Sequence, residues 1–226
     1  MEKRAPPGWL PDDAAIARHL GRRDPWLRRR KPHYQVQMIK DLAALIPASA
    51  RKVLDIGAGS GLVGETIATL FPEKWVAGVD VHPNALPDLS IPYVRFDGSR
   101  LPFSDRSFDC ALFCNSLHHV LPEARHQLLR EALRVTGGGT LVIKDHMGAG
   151  LHDRLRLWAL DVLGNAARGF MVSASYLGPA QWDRLLQDLG CSGEMLPVSP
   201  YRSGLWSWCF PNRLEISFRA HPKRSL

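Results

Sequence analysis

The chain has 226 residues, 45% hydrophobic and 23% charged, which suits one globular domain with a full core and excludes a disordered chain. Lysine and arginine number 29 against 22 acids, a net charge of +7 that admits nucleic acid, a membrane surface or an acidic carrier as partner. Four cysteines (Cys110, Cys114, Cys191, Cys209) form no C-x-x-C pair and no zinc spacing, which excludes a disulfide scaffold and points to a reducing compartment. No apolar run reaches the roughly 18 residues of a membrane span. Met1, Glu2, Lys3 and Arg4 lead into no signal-peptide core, so a cytoplasmic location is expected.

In chain order, residues 1–30 are rich in proline, arginine and tryptophan and read as a short helix and loop. Arg18, Arg22, Arg23, Arg28, Arg29, Arg30 and Lys31 crowd this stretch, and Lys223 and Arg224 sit in the tail. A solvated basic face is the simplest reading; no aromatic-rich RNA signature accompanies the arginines. Residues 34–45 place apolar side chains at helical spacing before a stop at Pro47. Residues 53–56 form a short strand, Gly57, Ala58, Gly59, Ser60 and Gly61 a tight turn, and residues 62–70 a helix. Further strands are expected at 75–79, 93–96 and 108–114, then a helix at 122–135, a break at Gly137–139 and a fifth strand at 140–144.

Short apolar strands alternating with helices imply an α/β fold: a Rossmann-like, doubly wound, mostly parallel sheet. A helical insert follows the fifth strand, with helices at 151–163 and 179–189. The ending is irregular, and the alternation over 214–219 suits a final antiparallel strand. The expected organisation is a single domain, 1–226: a basic helical lid over 1–47, a cofactor-binding half over 48–146 and an acceptor-side half over 147–226.

In such sheets ligands bind beyond the C-terminal strand ends, and the first strand–helix turn is the usual place. The glycines fit the dinucleotide pattern G-x-G-x-x-G in neither register: starting at Gly59 leaves Gly57 and Ala58 as a poor strand end, and starting at Gly57 puts Leu62 at the third glycine. Asp55, two residues before the loop, would repel a pyrophosphate and favour a cationic ligand. S-adenosylmethionine, with a sulfonium, an ammonium and no phosphate, is such a ligand. Asp80, at the end of the second strand, can accept two hydrogen bonds from a ribose diol.

The run Val53, Leu54, Asp55, Ile56, Gly57, Ala58, Gly59, Ser60, Gly61 resembles the first motif of class I S-adenosylmethionine-dependent methyltransferases. Val79, Asp80 and Val81 resemble their ribose-binding acidic motif. Arg95, Phe96, Asp97 and Gly98 are similar to the adenine-side segment, where the aspartate meets the adenine amino group. Ser107, Phe108 and Asp109 through Leu117, His118, His119 and Val120 match the fourth-strand motif of the small-molecule branch, and Leu133, Arg134, Val135 and the triple glycine complete the series. The resemblance covers roughly residues 50–146. It implies S-adenosyl-L-methionine as cofactor, held by Asp55, Gly57, Ala58, Gly59, Gly61, Asp80, Val81, Asp97, Gly98 and Asn115, with Tyr34 contributed by the lid.

For the acceptor, Asn115, Ser116, Leu117 and His118 replace the Asn/Asp-Pro-Pro-Tyr of nucleobase N-methyltransferases, and Cys114 lies one residue early and is expected to pack in its strand. His118, His119, Asp145 and His146 converge at neighbouring strand ends about 5 Å apart. A histidine can take a hydroxyl proton while a carboxylate orients its tautomer, an arrangement resembling that of some sugar O-methyltransferases. These four are the candidate catalytic residues; their spacing does not favour a metal, and none is expected. Trp26, His33, Tyr34, Arg154, Trp158, Asp161, Asn165, Phe170, Met171, Tyr176, Trp182, Tyr201, Trp206 and Trp208 are candidates for the acceptor pocket. The expected function is methyl transfer to a hydroxyl of an aryl, acyl/polyketide or glycosyl small molecule, carrier-bound or lipid-like acceptors included. The alternatives are C-methylation of a quinone-like or polyketide acceptor, an RNA methyltransferase, and a binding module that has kept the fold.

Overall fold

The computed structural model describes residues 12–30, 32–82, 84–165, 174–196 and 200–223. Its spine is a seven-stranded sheet of β1 (Lys52–Ile56), β2 (Trp75–Asp80), β3 (Tyr93–Arg95), β4 (Cys110–Cys114), β5 (Thr140–His146), β6 (Cys191–Met195) and β7 (Glu215–Pro222). The strand order is β3-β2-β1-β4-β5-β7-β6. The first five strands are parallel, and β7 runs antiparallel to both neighbours. The α/β, Rossmann-like, mostly parallel sheet with one antiparallel strand expected from the sequence is therefore present.

Alternation along each central strand feeds two buried layers. Leu54, Ile56, Ala111, Phe113, Leu141 and Ile143 face α5 (Pro122–Thr136) through Leu128, Leu129 and Ala132, with Trp182 of α7 (Pro179–Asp188) in the same layer. Val53, Val76, Leu112 and Val142 face Leu42 and Leu45 of α3 (His33–Leu45) and Ile67 of α4 (Leu62–Leu70). Each large aliphatic side chain fully buried here contributes about 1.5–3 kcal/mol. The insert after β5 is α6 (Leu151–Asn165), and α8 (Gly204–Cys209) precedes β7.

Three expectations needed revision. The N-terminal segment holds two helices, α1 (Asp13–Arg23) and α2 (Pro25–Arg30), rather than one and a loop. Ile16, Leu20 and Leu27 bury against Val36 and Ile39 of α3 and Leu62 of α4, and the Arg23 Nε–Glu65 Oε2 pair at 2.6 Å ties this segment to α4. Arg18, Arg22, Arg28 and Arg29 are exposed, as a solvated basic face requires. β6 was not foreseen, because Cys-Ser-Gly-Glu-Met has no β-branched residue and becomes a strand only through pairing with β7. β7 is longer than 214–219 and lies inside the sheet, between β5 and β6.

Candidate active site

At the end of β1 the amides of Gly57 and Ala58 both donate to Val79 O, at 2.9 and 3.1 Å, so the chain leaves the sheet at its C-terminal edge. Gly57, Gly59 and Gly61 then take φ of +72°, +56° and +78°, the left-handed region open to glycine. A Cβ at Gly57 would fall 2.6 Å from Ser116 Cβ, and one at Gly59 would meet nothing within 4 Å. The first closes the loop against the β4 end; the second leaves bare backbone facing open space. Asp80 holds the loop, its two carboxylate oxygens accepting from Gly59 N at 2.7 Å and His82 N at 2.8 Å.

A cavity of about 650 Å³ opens over this turn. Gly57, Ala58 and Gly59 line its floor, Asp80, Val81, Asp97 and Gly98 one side, and Asn115, His118, His119 and His146 the other. Asp80, Asp97 and Asp161 line it, and among the described residues neither lysine nor arginine does. Asp97 accepts from the Ser99 amide and hydroxyl through Oδ1, each at 2.8 Å, which holds its carboxyl below the ordinary aspartate range.

The other four predicted site residues lie off this surface. Gly61 is the N-cap of α4. Asp55 sits beneath the loop, 1% exposed, and a Cβ at Gly64 would fall 3.1 Å from its Oδ2. Among the described residues none donates a hydrogen bond of good geometry to either of its oxygens; burial first, and the Asp80 charge second, push its carboxyl up to about 7. Any influence of Asp55 on a ligand is therefore exerted through the loop and not by contact. Asp145 is wholly buried behind the histidines, and Tyr34 belongs to a second cavity.

The histidines form one cluster. His118 sits on a 3₁₀ turn (Leu117–His119) after β4, its Nδ1 hydrogen-bonded to Asp145 Oδ1 and its Nε2 3.5 Å from Asp161 Oδ2. The His118 ring centroid is 4.0 Å from that of His119 and 5.0 Å from that of His146. Burial works against charge on both His118 and Asp145. Their mutual attraction outweighs it, raising the imidazole and holding Asp145 at about 2. His146 Nδ1 lies 3.2 Å from Glu215 Oε2. Tyr176 stacks on His118 at 5.5 Å and donates its hydroxyl to Asp161. Buried Arg125 fastens the turn by donating to Leu117 O at 2.9 Å, Val120 O at 3.0 Å and His118 O at 3.3 Å, and also to Ser175 O.

A second cavity of about 410 Å³ adjoins the first, with Ser60, Asn115, His146 and Asp161 common to both. Trp26, Tyr34, Met38, Leu160 and Trp206 give it apolar and aromatic sides, and Arg202 one cation. Beneath it lies a charge network that the sequence reading missed. Lys144 Nζ, wholly buried, donates to Glu215 Oε2 and Tyr34 Oη at 2.5 Å each and to Asn115 Oδ1 at 2.7 Å, while Arg202 pairs with the other Glu215 oxygen. Glu215 and its neighbours outweigh burial and raise the Lys144 ammonium; Glu215 is held well below the ordinary glutamate range.

Among the acceptor candidates, Trp182 and Tyr201 are core. Trp158 and Trp208 are exposed. Phe170, Met171 and the side chain of Asn165 lie outside the described residues. Cys114, expected simply to pack in its strand, lines the first cavity, with its Sγ 3.3 Å from Met38 Sδ.

Residues 54–143 match the family model described as a methyltransferase domain. This match, the relatives below and the fold together support a class I S-adenosylmethionine-dependent methyltransferase. A methyltransferase of Mycobacterium tuberculosis (strain H37Rv) without an assigned reaction is 26% identical over 151 residues, 62% of this chain and 74% of the relative. The ubiquinone biosynthesis O-methyltransferase of Cereibacter sphaeroides (strain ATCC 17029) is 32% identical over 108 residues, 43% of each chain. The same fold is found in the putative methyltransferase solved with the Haloferax volcanii Trm112 activator, at TM-score 0.65 and 15% identity over 95% of this chain and 100% of that one. The glycine loop of this methyltransferase fits the family's cofactor: Gly59 leaves room for close backbone approach, and each Asp80 oxygen, engaged by one amide, keeps a lone pair for a ribose hydroxyl.

Proposed function

We propose that this methyltransferase transfers the methyl group of S-adenosyl-L-methionine to a hydroxyl of a flat, largely apolar small molecule. The observation that carries the reading is the junction of two cavities, one acidic and without lysine or arginine among its described lining residues, the other aromatic. Phosphates would find no lysine or arginine among the described lining residues of the first, whereas a sulfonium and an ammonium meet three aspartates. When bound, the cofactor supplies a methyl group already activated by the sulfonium.

The chain's own part is positioning and proton removal. Asp80 holds the ribose diol, Asp97 the adenine amino group, and the backbone of Gly57 and Gly59 the aminoacyl end. Asn115, common to both cavities, is fixed by Lys144 at 2.7 Å and sits where donor and acceptor meet. His119, half-buried on the first cavity, takes the hydroxyl proton. His118 positions it, itself pinned by Asp145. The aromatic sides of the second cavity suit an aryl acceptor, and Arg202 suits one carrying an anion. The O-methyltransferase relative supports oxygen as the receiving atom.

Calorimetry with S-adenosylhomocysteine, followed by tritiated-methyl transfer onto phenolic, acyl and RNA fractions, tests the reading. Low-micromolar binding and label in a phenolic fraction are expected. His119→Ala should lower turnover at least 100-fold with cofactor affinity within about threefold. Binding of NAD or ATP in place of S-adenosylhomocysteine, or label in RNA alone, would overturn it.

A further inference from the structure

We propose that His118, His146 and Asp161 form a site for one divalent metal ion of borderline hardness, such as Zn²⁺, where the two cavities meet. One ligand atom from each residue lies within 4.8 Å of the others, and all three side chains are buried. His118 Nε2 is buried without a hydrogen-bond partner among the described residues, 3.5 Å from Asp161 Oδ2. Tetrahedral ligand atoms on zinc stand about 3.3 Å apart, close to the 3.5 Å between His118 Nε2 and Asp161 Oδ2.

Two further observations separate this cluster from a chance meeting of polar groups. His118 turns its other nitrogen, Nδ1, to the buried Asp145 carboxylate, the outer contact that orients a metal-bound histidine and sets its tautomer. His146 Nδ1 lies 3.2 Å from Glu215 Oε2 without a hydrogen bond of good geometry, so Glu215 adds charge beside this ring. Asp161 Oδ2, the oxygen nearest His118 Nε2, is itself held by the Tyr176 hydroxyl. Two imidazoles and one carboxylate suit zinc or cobalt better than magnesium, which takes oxygen ligands and keeps its water.

Location gives the ion its task. His146 and Asp161 line both cavities and His118 the first, so three protein ligands leave a coordination position turned toward the acceptor. A hydroxyl oxygen bound there acidifies as the ion polarises its O–H bond. The proton passes to His119, the oxygen–methyl bond forms, and the sulfur–methyl bond breaks to give the neutral thioether. Metal binding itself stands apart from the proposed reaction; only this task rests on that reading.

The test uses untagged full-length protein stripped with EDTA and titrated with Co²⁺, read by visible absorption and by elemental analysis after dialysis. One equivalent is expected, with the ligand-field bands of a four- or five-coordinate site, displaced by Zn²⁺. Asp161→Asn should weaken uptake at least tenfold and His146→Ala should abolish it, with circular dichroism showing both variants folded. Saturating Zn²⁺ should raise the melting temperature of the parent protein and not of His146→Ala. The proposal falls if uptake is not saturable at one equivalent. It falls equally if both folded variants bind Co²⁺ like the parent, because the chain has nine histidines and others would then be responsible. S-adenosylhomocysteine binding by metal-stripped protein that takes up no Co²⁺ would end the metal site and leave the methyltransferase reading standing; metal uptake without that binding would do the reverse.

Discussion

Gly57 and Ser116 close the glycine loop against the end of β4: a methyl group on the glycine would fall 2.6 Å from the serine Cβ, and the Ser116 hydroxyl donates to Ile56 O at 3.1 Å. The glycine is also at φ +72°. Gly57→Ala therefore meets a backbone penalty and a clash together, expected to cost about 2–4 kcal/mol in all. Urea unfolding should show the loss, and S-adenosylhomocysteine affinity should fall at least tenfold. Stability and affinity unchanged from the parent would mean that the loop is not held by this contact.

Asp55 makes the unliganded protein pH-sensitive. Its carboxyl is raised from an ordinary 3.8 to about 7 by burial and by Asp80, so the folded state binds a proton that the unfolded state has released. Its contribution is intact below pH 4 and is lost as pH rises through 7. The loss is at most about 4 kcal/mol, three pKa units at about 1.4 kcal/mol each. Asp55→Asn should therefore gain stability relative to the parent between pH 5 and 8, measured by urea unfolding at both values. A difference that does not move with pH would show that Asp55 is ionised throughout.

Lys144 and Glu215 are a wholly buried ion pair, and removing Lys144 leaves the buried Glu215 carboxylate with Arg202 as its remaining strong cationic partner. Lys144→Met should cost about 3–5 kcal/mol by chemical unfolding. Lys144→Met with Glu215→Gln should cost clearly less than the sum of the single changes. Additive losses would place the stabilising partner of Lys144 elsewhere, at Tyr34 or Asn115.

Arg125 links the histidine turn to Ser175, and its fork of donors spans carbonyls that a lysine ammonium cannot reach together. Arg125→Lys is expected to lower stability by about 1–3 kcal/mol. It should also lower kcat at least tenfold through misplacement of His119 while S-adenosylhomocysteine affinity holds. Equal loss of both would mean that the turn supports the cofactor site as much as the proton acceptor.

How much could be read in advance followed contact range. The strand ending at Ile56, the glycine turn and helix α4 are contiguous, so their periodicity and their φ demands were legible. Asp80 was legible for the same reason, at a strand end after an apolar run. Lys144 was not: a lysine within an apolar strand reads as an outward-facing residue until Glu215, 71 positions away, is seen beside it. Asp161 was noted only as one residue of the insert, since nothing local brings it to His118.

The order of short-range signals, apolar strand, glycine turn, acidic strand end, thus determined the fold class and the turn at the first strand end of this chain, because neighbouring residues impose those features on one another. The tertiary structure alone decided that β7 enters the sheet between β5 and β6, carrying Glu215 under the second cavity. It alone brought Asp161 and Tyr176 to the histidines and sank Asp55 beneath the loop. Such groups meet only when distant segments pack, and burying a charge is tolerable only where the packing delivers its partner.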